Sequence, residues 1–162
     1  MIKAAIIVIS DSCSAGERED ESGIFLQKKM EEAGWSVVNY LVIPDQKDLI
    51  KESLSKLAGE VDVILTSGGT GLGERDVTPE ATREILEKEV PGISEAMRMQ
   101  TFAKTPYSVL SRGISGVKNQ TLIINLPGSL KGVKESLEVV LPVIPHAVEI
   151  IKGSVHHHEK SQ

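Results

Sequence analysis

The chain has 162 residues, of which 40% are apolar and 25% charged, and its formal net charge is −5. This balance is typical of one soluble globular domain, and no apolar run approaches the roughly 20 residues that a membrane span needs. The net negative charge argues against a broad nucleic-acid surface, which needs clustered Lys and Arg. The single cysteine, Cys13, cannot form an internal disulfide, and the segment MIKAAIIVIS is too short for a signal peptide. We therefore expect a cytoplasmic protein that binds neither nucleic acid nor membrane.

Apolar runs alternate with helical periodicity along the chain. This alternation predicts an α/β fold: one three-layer domain over residues 1–153 with a mainly parallel sheet, followed by a flexible tail at 154–162. Predicted strands cover residues 3–10, 35–43, 61–66 and 121–126, with a short edge segment at 116–120. Predicted helices cover 22–33, the segments after Asp45, Thr78 and Pro91, and 129–141.

Polar loops follow the predicted strands, and the stretch 61–86 carries the strongest signal. It reads VDVILTSGGTGLGERDVTPEATREIL, with four glycines and two hydroxyls between Ser67 and Gly73. Thr78 and Pro79 fit the N-cap and first position of a helix. A strand, a glycine loop and a helix N-terminus together favour a phosphate ligand. The spacing matches neither a P-loop nor GxGxxG, which makes a nicotinamide-dependent dehydrogenase a weak interpretation.

Acidic residues in these loops have two interpretations. Beside a polyanion site, Asp76 suits a metal ion, yet it could also cap Thr78 through an Asx-turn. By spacing alone, Asp45 is more simply the N-cap of a helix. Ser129 caps the predicted helix at 129–141, or brings phosphate to the backbone with Gly128.

Several motifs carry a resemblance to a known family. TSGGTG followed by RDVTPEAT resembles the molybdopterin-binding proteins of the Mog/MoaB family. Its other loops are similar to ISDSCSAGEREDESG, VIPDQ, LSRG and INLPGS, so that the resemblance covers nearly the whole chain. The pattern is most similar to the molybdopterin adenylyltransferases, including the corresponding domain of gephyrin and the plant enzyme.

The resemblance implies transfer of AMP from ATP to molybdopterin, with release of diphosphate. It implies that Asp45 and Asp76 are catalytic and hold Mg²⁺, and that the protein is a homotrimer that hands its product to a molybdenum-insertion protein. The residues predicted to bind the two substrates, ATP and molybdopterin, are Asp11, Ser67, Gly68, Gly69, Thr70, Gly71, Arg75, Thr78, Ser111, Pro127, Gly128 and Ser129. The alternative is a non-catalytic pterin-binding or scaffolding trimer of the MoaB branch.

Other candidate residues have plainer interpretations. We expect Cys13 to be an unreactive thiol, since no histidine is near it in the sequence. His146 lies in an apolar stretch and is expected to be partly buried. The histidines at 156–158 are either natural or a remnant of cloning, and no role is assigned to them.

Overall fold

The computed structural model describes residues 1–154. The predicted tail, with its three histidines, lies outside this part of the chain except for Ser154. Six strands form one sheet: β1 (Lys3–Ile9), β2 (Ser36–Ile43), β3 (Val63–Ser67), β4 (Lys88–Glu89), β5 (Ser115–Lys118) and β6 (Thr121–Leu126). The helices are α1 (Asp11–Ser14), α2 (Glu21–Glu32), α3 (Lys47–Leu57), α4 (Thr78–Ile85), α5 (Pro91–Phe102), α6 (Leu130–Val140) and α7 (Ile144–Ile151), with a 3₁₀ helix at Pro106–Leu110.

The strand order is β2-β1-β3-β6-β5-β4. The first four strands in this order are parallel, whereas β5 is antiparallel to both β6 and β4. The prediction of a mainly parallel sheet is therefore confirmed. The predicted edge segment at 116–120 is a strand but not the edge, because the two-residue strand β4 pairs with its outer side.

Apolar side chains cover both faces of the sheet. Alternate residues of β1 belong to two separate clusters, since successive side chains of a strand point to opposite faces. Ile6 packs with side chains from α2, α5, α6 and α7, and its neighbour Ile7 packs with side chains from α3 and α4. The three predicted layers are confirmed. Burial on both faces explains why the central strands are continuous apolar runs rather than alternating ones.

Two predicted helix starts are wrong in detail. Gln46, not Asp45, stands at the N-cap position of α3, and Asp45 makes no capping hydrogen bond to that helix. Val77 stands before α4, and Thr78 is its first helical residue. The side chains of Asp45 and Thr78 have other hydrogen-bond partners, described below. Ser129 caps α6 as predicted, since its Oγ accepts the N–H of Gly132 at 3.1 Å.

The C-terminal apolar stretch forms α7 against the core, with Ile144 and Val148 buried. His146 is exposed on this helix, with Nδ1 3.8 Å from Glu149 Oε2, so the expectation of partial burial is wrong. The helical period points this residue away from the buried side of α7. Among residues 1–154, no helix has both the length and the apolar character that crossing a membrane requires.

Candidate functional site

The carboxyl ends of the parallel strands bring three loops together. In the sheet register Val8 pairs with Ser67, and Ser67 pairs with Leu126. Hydrogen bonds then join the loops: Ser67 Oγ donates to Pro127 O at 2.9 Å, and Gly68 N–H donates to Leu126 O at 3.1 Å. Ser22 Oγ at the start of α2 donates to Gly128 O at 3.0 Å. The loops after β1, β3 and β6 therefore meet at one edge of the sheet.

The loop after β3 requires glycine at its first two positions. Gly68 and Gly69 have positive φ angles of +109° and +68°, which residues with a side chain rarely adopt. A Cβ on Gly68 would lie 2.1 Å from Ile9 O, and a Cβ on Gly69 would lie 2.2 Å from Thr78 Oγ1. Thr78 is fully buried, and its Oγ1 donates to Gly68 O at 2.9 Å. These contacts fix the path of the loop away from β3.

Asp45 and Asp76 face the same glycine loop from two sides. Asp45 Oδ1 would lie 3.1 Å from a Cβ on Gly69, and Asp76 Oδ2 would lie 2.9 Å from a Cβ on Gly71. Each carboxylate uses one oxygen for a main-chain N–H. Asp45 Oδ2 accepts from Asp11 at 2.9 Å, and Asp76 Oδ2 accepts from Gly73 at 2.9 Å.

The second oxygen of each carboxylate accepts no hydrogen bond from the described residues. Asp76 thus orders its own loop through Gly73, and the Asx-turn to Thr78 is not observed. Both aspartates keep an oxygen for a ligand.

The negative charges of Asp11 and Asp76 lie near Asp45. Burial raises the pKa of its carboxyl above the ordinary value, and the charges of Asp11 and Asp76 act in the same direction. Asp11 itself is fixed by Arg75, whose Nε and Nη2 donate to its two oxygens at 2.9 Å each. This hydrogen-bonded pair lowers the pKa of Asp11. A cation bound beside Asp45 and Asp76 would be stabilised by carboxylates that burial has partly stripped of water.

Main-chain donors in the loop are unused. Within residues 1–154, the N–H groups of Gly69, Thr70 and Gly71 form no hydrogen bond. Thr70 is nevertheless buried. Because buried N–H groups in proteins almost always have a partner, an acceptor from outside the chain suits the Thr70 donor, and the neighbouring donors of Gly69 and Gly71 could bind the same acceptor.

Two cavities open at this edge. The acidic cavity has a volume of about 280 Å³ and is lined by 14 residues, among them Asp20, Asp45, Asp76, Arg18 and Cys13. The hydroxyl cavity has a volume of about 370 Å³ and lies between α5, the 3₁₀ helix and α6. Eight hydroxyl-bearing residues line it: Ser94, Thr101, Thr105, Tyr107, Ser108, Ser111, Ser129 and Ser136. Ser129 lines both cavities, and the two therefore adjoin at the start of α6.

The predicted site residues divide between these cavities. Asp45, Ser67, Gly68, Gly69, Asp76, Gly128 and Ser129 line the acidic cavity. Gly71, Ser111, Pro127 and Ser129 line the hydroxyl cavity. Asp11, Thr70, Arg75 and Thr78 line neither. Asp11 bonds to Asp45, and Thr78 bonds to Gly68. Arg75 bonds to Asp11, and the carbonyl of Thr70 accepts the N–H of Arg112.

Sequence reasoning missed much of the hydroxyl cavity. Arg98 and Thr101 lie on one helix, and Glu135 and Ser136 on another about 35 positions along the chain. They belong to no loop motif, and their only local signal is a polar side chain close to the apolar positions of an amphipathic helix. Such a residue is more often simply exposed.

The donor set fits a divalent cation only if other ligands join it. Among residues 1–154, no three side chains of His, Cys, Asp or Glu come together as a metal site. Two carboxylates with free oxygens match Mg²⁺, which commonly binds one or two protein carboxylates together with waters and substrate phosphates.

Comparison with known proteins identifies the family. Residues 5–146 match the model of the probable molybdopterin binding domain. The molybdopterin adenylyltransferase of Helicobacter pylori strain J99 is 41% identical over 157 residues, with 94% of this chain and 89% of that protein covered. The Drosophila melanogaster molybdenum cofactor synthesis protein cinnamon is 44% identical over 95% of this chain, which spans only 26% of that protein.

A solved structure shares the fold closely. The molybdopterin biosynthesis enzyme MoaB from Thermus thermophilus superposes with a TM-score of 0.89 and 47% sequence identity. The match covers 94% of this chain and 98% of that one.

Proposed function

Because the chain belongs to the probable molybdopterin binding domain family, we propose that it is a molybdopterin adenylyltransferase of molybdenum cofactor biosynthesis. In this reaction a terminal phosphate oxygen of molybdopterin attacks the α-phosphorus of ATP. The bond from that phosphorus to the oxygen bridging the α- and β-phosphates breaks, and diphosphate leaves. AMP is thereby joined to molybdopterin.

One observation carries the proposal. Asp45 and Asp76 line one cavity with free carboxylate oxygens, next to a glycine loop whose Gly69–Gly71 N–H groups form no hydrogen bond within the described chain. Reactions at phosphorus need positioning and neutralisation of negative charge more than they need covalent chemistry from the protein. Main-chain donors, which cannot titrate, supply the first part of that neutralisation.

We propose that Asp45 and Asp76 hold Mg²⁺ in the acidic cavity. When bound, the ion supplies charge neutralisation at the reacting phosphates. Asp11 and Arg75 fix the position of Asp45. Asp11 Oδ1 accepts the N–H of Asp45 at 3.0 Å and is itself bonded to Arg75, so the Asp11–Arg75 pair holds the Asp45 turn in place.

The two cavities suit a reaction that joins two substrates through their phosphates. The α-phosphate of ATP and the terminal phosphate of molybdopterin must meet beside Asp45 and Asp76. The flat ring system of one of these two substrates then fits the hydroxyl cavity. Arg98 and Lys131 line that cavity. The hydroxyls of Thr105, Tyr107 and Ser136, which form no hydrogen bond within residues 1–154, offer hydrogen bonds to a ring. Tyr107 is the one aromatic residue among its lining residues.

We also propose a homotrimer, as the resemblance implies. Exposed apolar side chains at α5 and the 3₁₀ helix support a subunit contact there, since Met99 and Val109 are 71% and 50% exposed and neither lines the hydroxyl cavity. Sedimentation equilibrium should give three times the mass of the 17.5 kDa chain. A monomer mass would contradict the trimer.

The location and the hand-over of product remain predictions. We propose a cytoplasmic protein whose product passes to a molybdenum-insertion protein. In the Drosophila relative the matched region is about a quarter of the protein and is joined to other sequence. That arrangement supports a product used by a neighbouring domain.

Diphosphate release tests the proposal directly. Purified protein with ATP, molybdopterin and Mg²⁺ should release diphosphate and form AMP-molybdopterin, and omission of Mg²⁺ or of molybdopterin should stop the reaction. A protein that binds molybdopterin tightly but releases no diphosphate would be the alternative, a pterin-binding or scaffolding trimer.

A further inference from the structure

Arg112 holds the whole connection between β3 and α4. Its Nε donates to Gly71 O at 2.9 Å, its Nη2 donates to Asp76 O at 2.8 Å, and its Nη1 donates to the Glu80 carboxylate. Its main-chain N–H adds a bond to Thr70 O at 2.8 Å. One residue thus binds the middle of the glycine loop, the peptide of Asp76 and the first turn of α4.

Glu80 fixes the orientation of the guanidinium. The hydrogen bond from Arg112 lowers the pKa of Glu80 and keeps its carboxylate charged. The guanidinium spreads its N–H donors over three nitrogen atoms in one rigid plane, whereas the three donors of a lysine ammonium share a single nitrogen and cannot reach acceptors spaced in this way. The bonds of Arg112 therefore define one arrangement of the loop.

The neighbours of Arg112 in the chain form part of the hydroxyl cavity. Ser111 and Gly113 line that cavity, and Arg98 Nη1 donates to their carbonyls at 3.2 and 2.8 Å. Arg98 lines it as well. A ligand in the hydroxyl cavity therefore lies against residues 111–113, whose central side chain holds the peptide of Asp76 in the acidic cavity.

We propose that Arg112 is a positioning residue that holds Asp76 and couples the hydroxyl cavity to the acidic cavity. The inference rests on the proposed function, because it assumes that the two cavities take the two substrates. A ligand that contacts residues 111–113 acts on Arg112, and through it on the carbonyls of Gly71 and Asp76 that Arg112 binds. The coupling is reciprocal, so each ligand raises the affinity for the other by the same factor.

The experiment compares arginine variants at two positions. Arg112→Lys and Arg112→Gln are matched with Arg83→Lys and Arg83→Gln, because Arg83 makes an exposed pair with Glu89 outside both cavities. Calorimetry measures the affinity for the Mg²⁺ complex of α,β-methylene-ATP, which cannot release diphosphate, with and without saturating molybdopterin. Diphosphate release gives kcat and KM for each substrate, and thermal unfolding shows whether each variant is folded.

We expect Arg112→Lys to lower kcat by about 10- to 100-fold, since small displacements of a catalytic group have effects of this order. The molybdopterin-dependent rise in nucleotide affinity should disappear in both Arg112 variants and persist in both Arg83 variants. Glu80→Gln, which weakens the hold on Arg112 without removing it, should show a smaller loss of coupling. It also keeps the test decisive if the Arg112 variants do not fold.

Two results would overturn the inference. One is unchanged coupling in folded Arg112 variants or, if these do not fold, in Glu80→Gln. The other is wild-type protein in which molybdopterin does not alter nucleotide affinity. Failure of the proposed function looks different: wild type then releases no diphosphate, whatever the coupling measured with the methylene analogue.

Discussion

The acidic cavity and the hydroxyl cavity share Ser129 but are built differently. The acidic cavity is formed mostly by loops that follow β1, β2, β3 and β6, and its working groups are main-chain N–H donors and carboxylates. The hydroxyl cavity is formed largely by side chains on α5, the 3₁₀ helix and α6. We infer that the first is built for the phosphates and their reaction, and the second for recognition of a ring.

Asp76→Asn tests whether the acidic cavity carries out the reaction, and we expect it to have the largest effect on kcat. The variant keeps the size of the side chain but removes a negative charge from the acidic cavity. We expect kcat for diphosphate release to fall by about 100- to 1000-fold, the range found when one electrostatic group is removed from a catalytic site. KM should change much less.

Asp48→Asn is the control, because Asp48 is an exposed carboxylate on the first turn of α3. It should leave kcat within about twofold, as for most surface changes. A wild-type kcat in Asp76→Asn would contradict a catalytic role for Asp76.

Gly68→Ala tests the backbone of the acidic cavity. The added methyl group would meet Ile9 O at 2.1 Å, at a φ of +109°. Backbone strain and overpacking together should reduce the free energy of unfolding by about 3 kcal/mol, measured by urea denaturation. Gly92→Ala is matched to it, since a Cβ there meets no atom within 4 Å and Gly92 lies in α5. That change should be neutral or slightly stabilising, and equal losses in both variants would contradict the strained loop.

Tyr107→Ala tests whether the hydroxyl cavity recognises the ring of a substrate. Loss of a ring that stacks on a flat substrate costs about 1–3 kcal/mol, so we expect KM for one substrate to rise about tenfold. We expect kcat to stay within about threefold, because the residue lies outside the acidic cavity.

Phe102→Ala removes another exposed aromatic side chain of the same region that does not line the cavity. It should leave both KM values unchanged. Sedimentation of both variants should be compared, so that a change in oligomeric state is not mistaken for a change in substrate binding. A lower kcat with unchanged KM in Tyr107→Ala would reject a recognition role for the hydroxyl cavity.

Asp45→Asn should have the smallest effect on stability, and in the opposite direction to Gly68→Ala. The folded protein raises the pKa of Asp45. At a pH above this raised pKa the group is ionised in both the folded and the unfolded state, and its burial then lowers the free energy of unfolding. We expect Asn to raise Tm by about 1–2 °C at pH 7 while diphosphate release falls.

The size of this effect depends on pH. As the pH falls through the raised folded pKa toward the unfolded value, the native carboxyl takes up a proton and the penalty disappears. The Tm gain of Asp45→Asn should therefore shrink at pH 4. A Tm that is lower than that of wild type at pH 7, or a gain that grows at low pH, would contradict the raised pKa.

Sequence reasoning predicted the acidic cavity better than the hydroxyl cavity for a physical reason. Parallel strands bring their carboxyl ends to one edge, so local motifs such as SGGTG and the turn containing Asp45 come together once the fold class is known. Spacing alone, however, favours Asp45 and Thr78 as helix caps, and neither stands at the N-cap position. Their actual partners, Asp11 and Gly68, are 34 and 10 positions away in the chain.

The hydroxyl cavity depends instead on how α5 and α6 pack on the sheet. The rotation of each helix decides which of its polar side chains face the cavity, and periodicity defines that rotation only roughly. Arg112 illustrates the limit. From the sequence it is one charge in a loop, and its role follows only from acceptors on Gly71, Asp76 and Glu80.

The most direct measurement is a crystal structure of the protein with AMP-molybdopterin and Mg²⁺. The central claim predicts one continuous ligand that crosses the boundary at Ser129, with its joined phosphates beside Asp45 and Asp76 and one ring in the hydroxyl cavity. A ligand bound elsewhere, or one whose phosphates lie away from both aspartates, would contradict it.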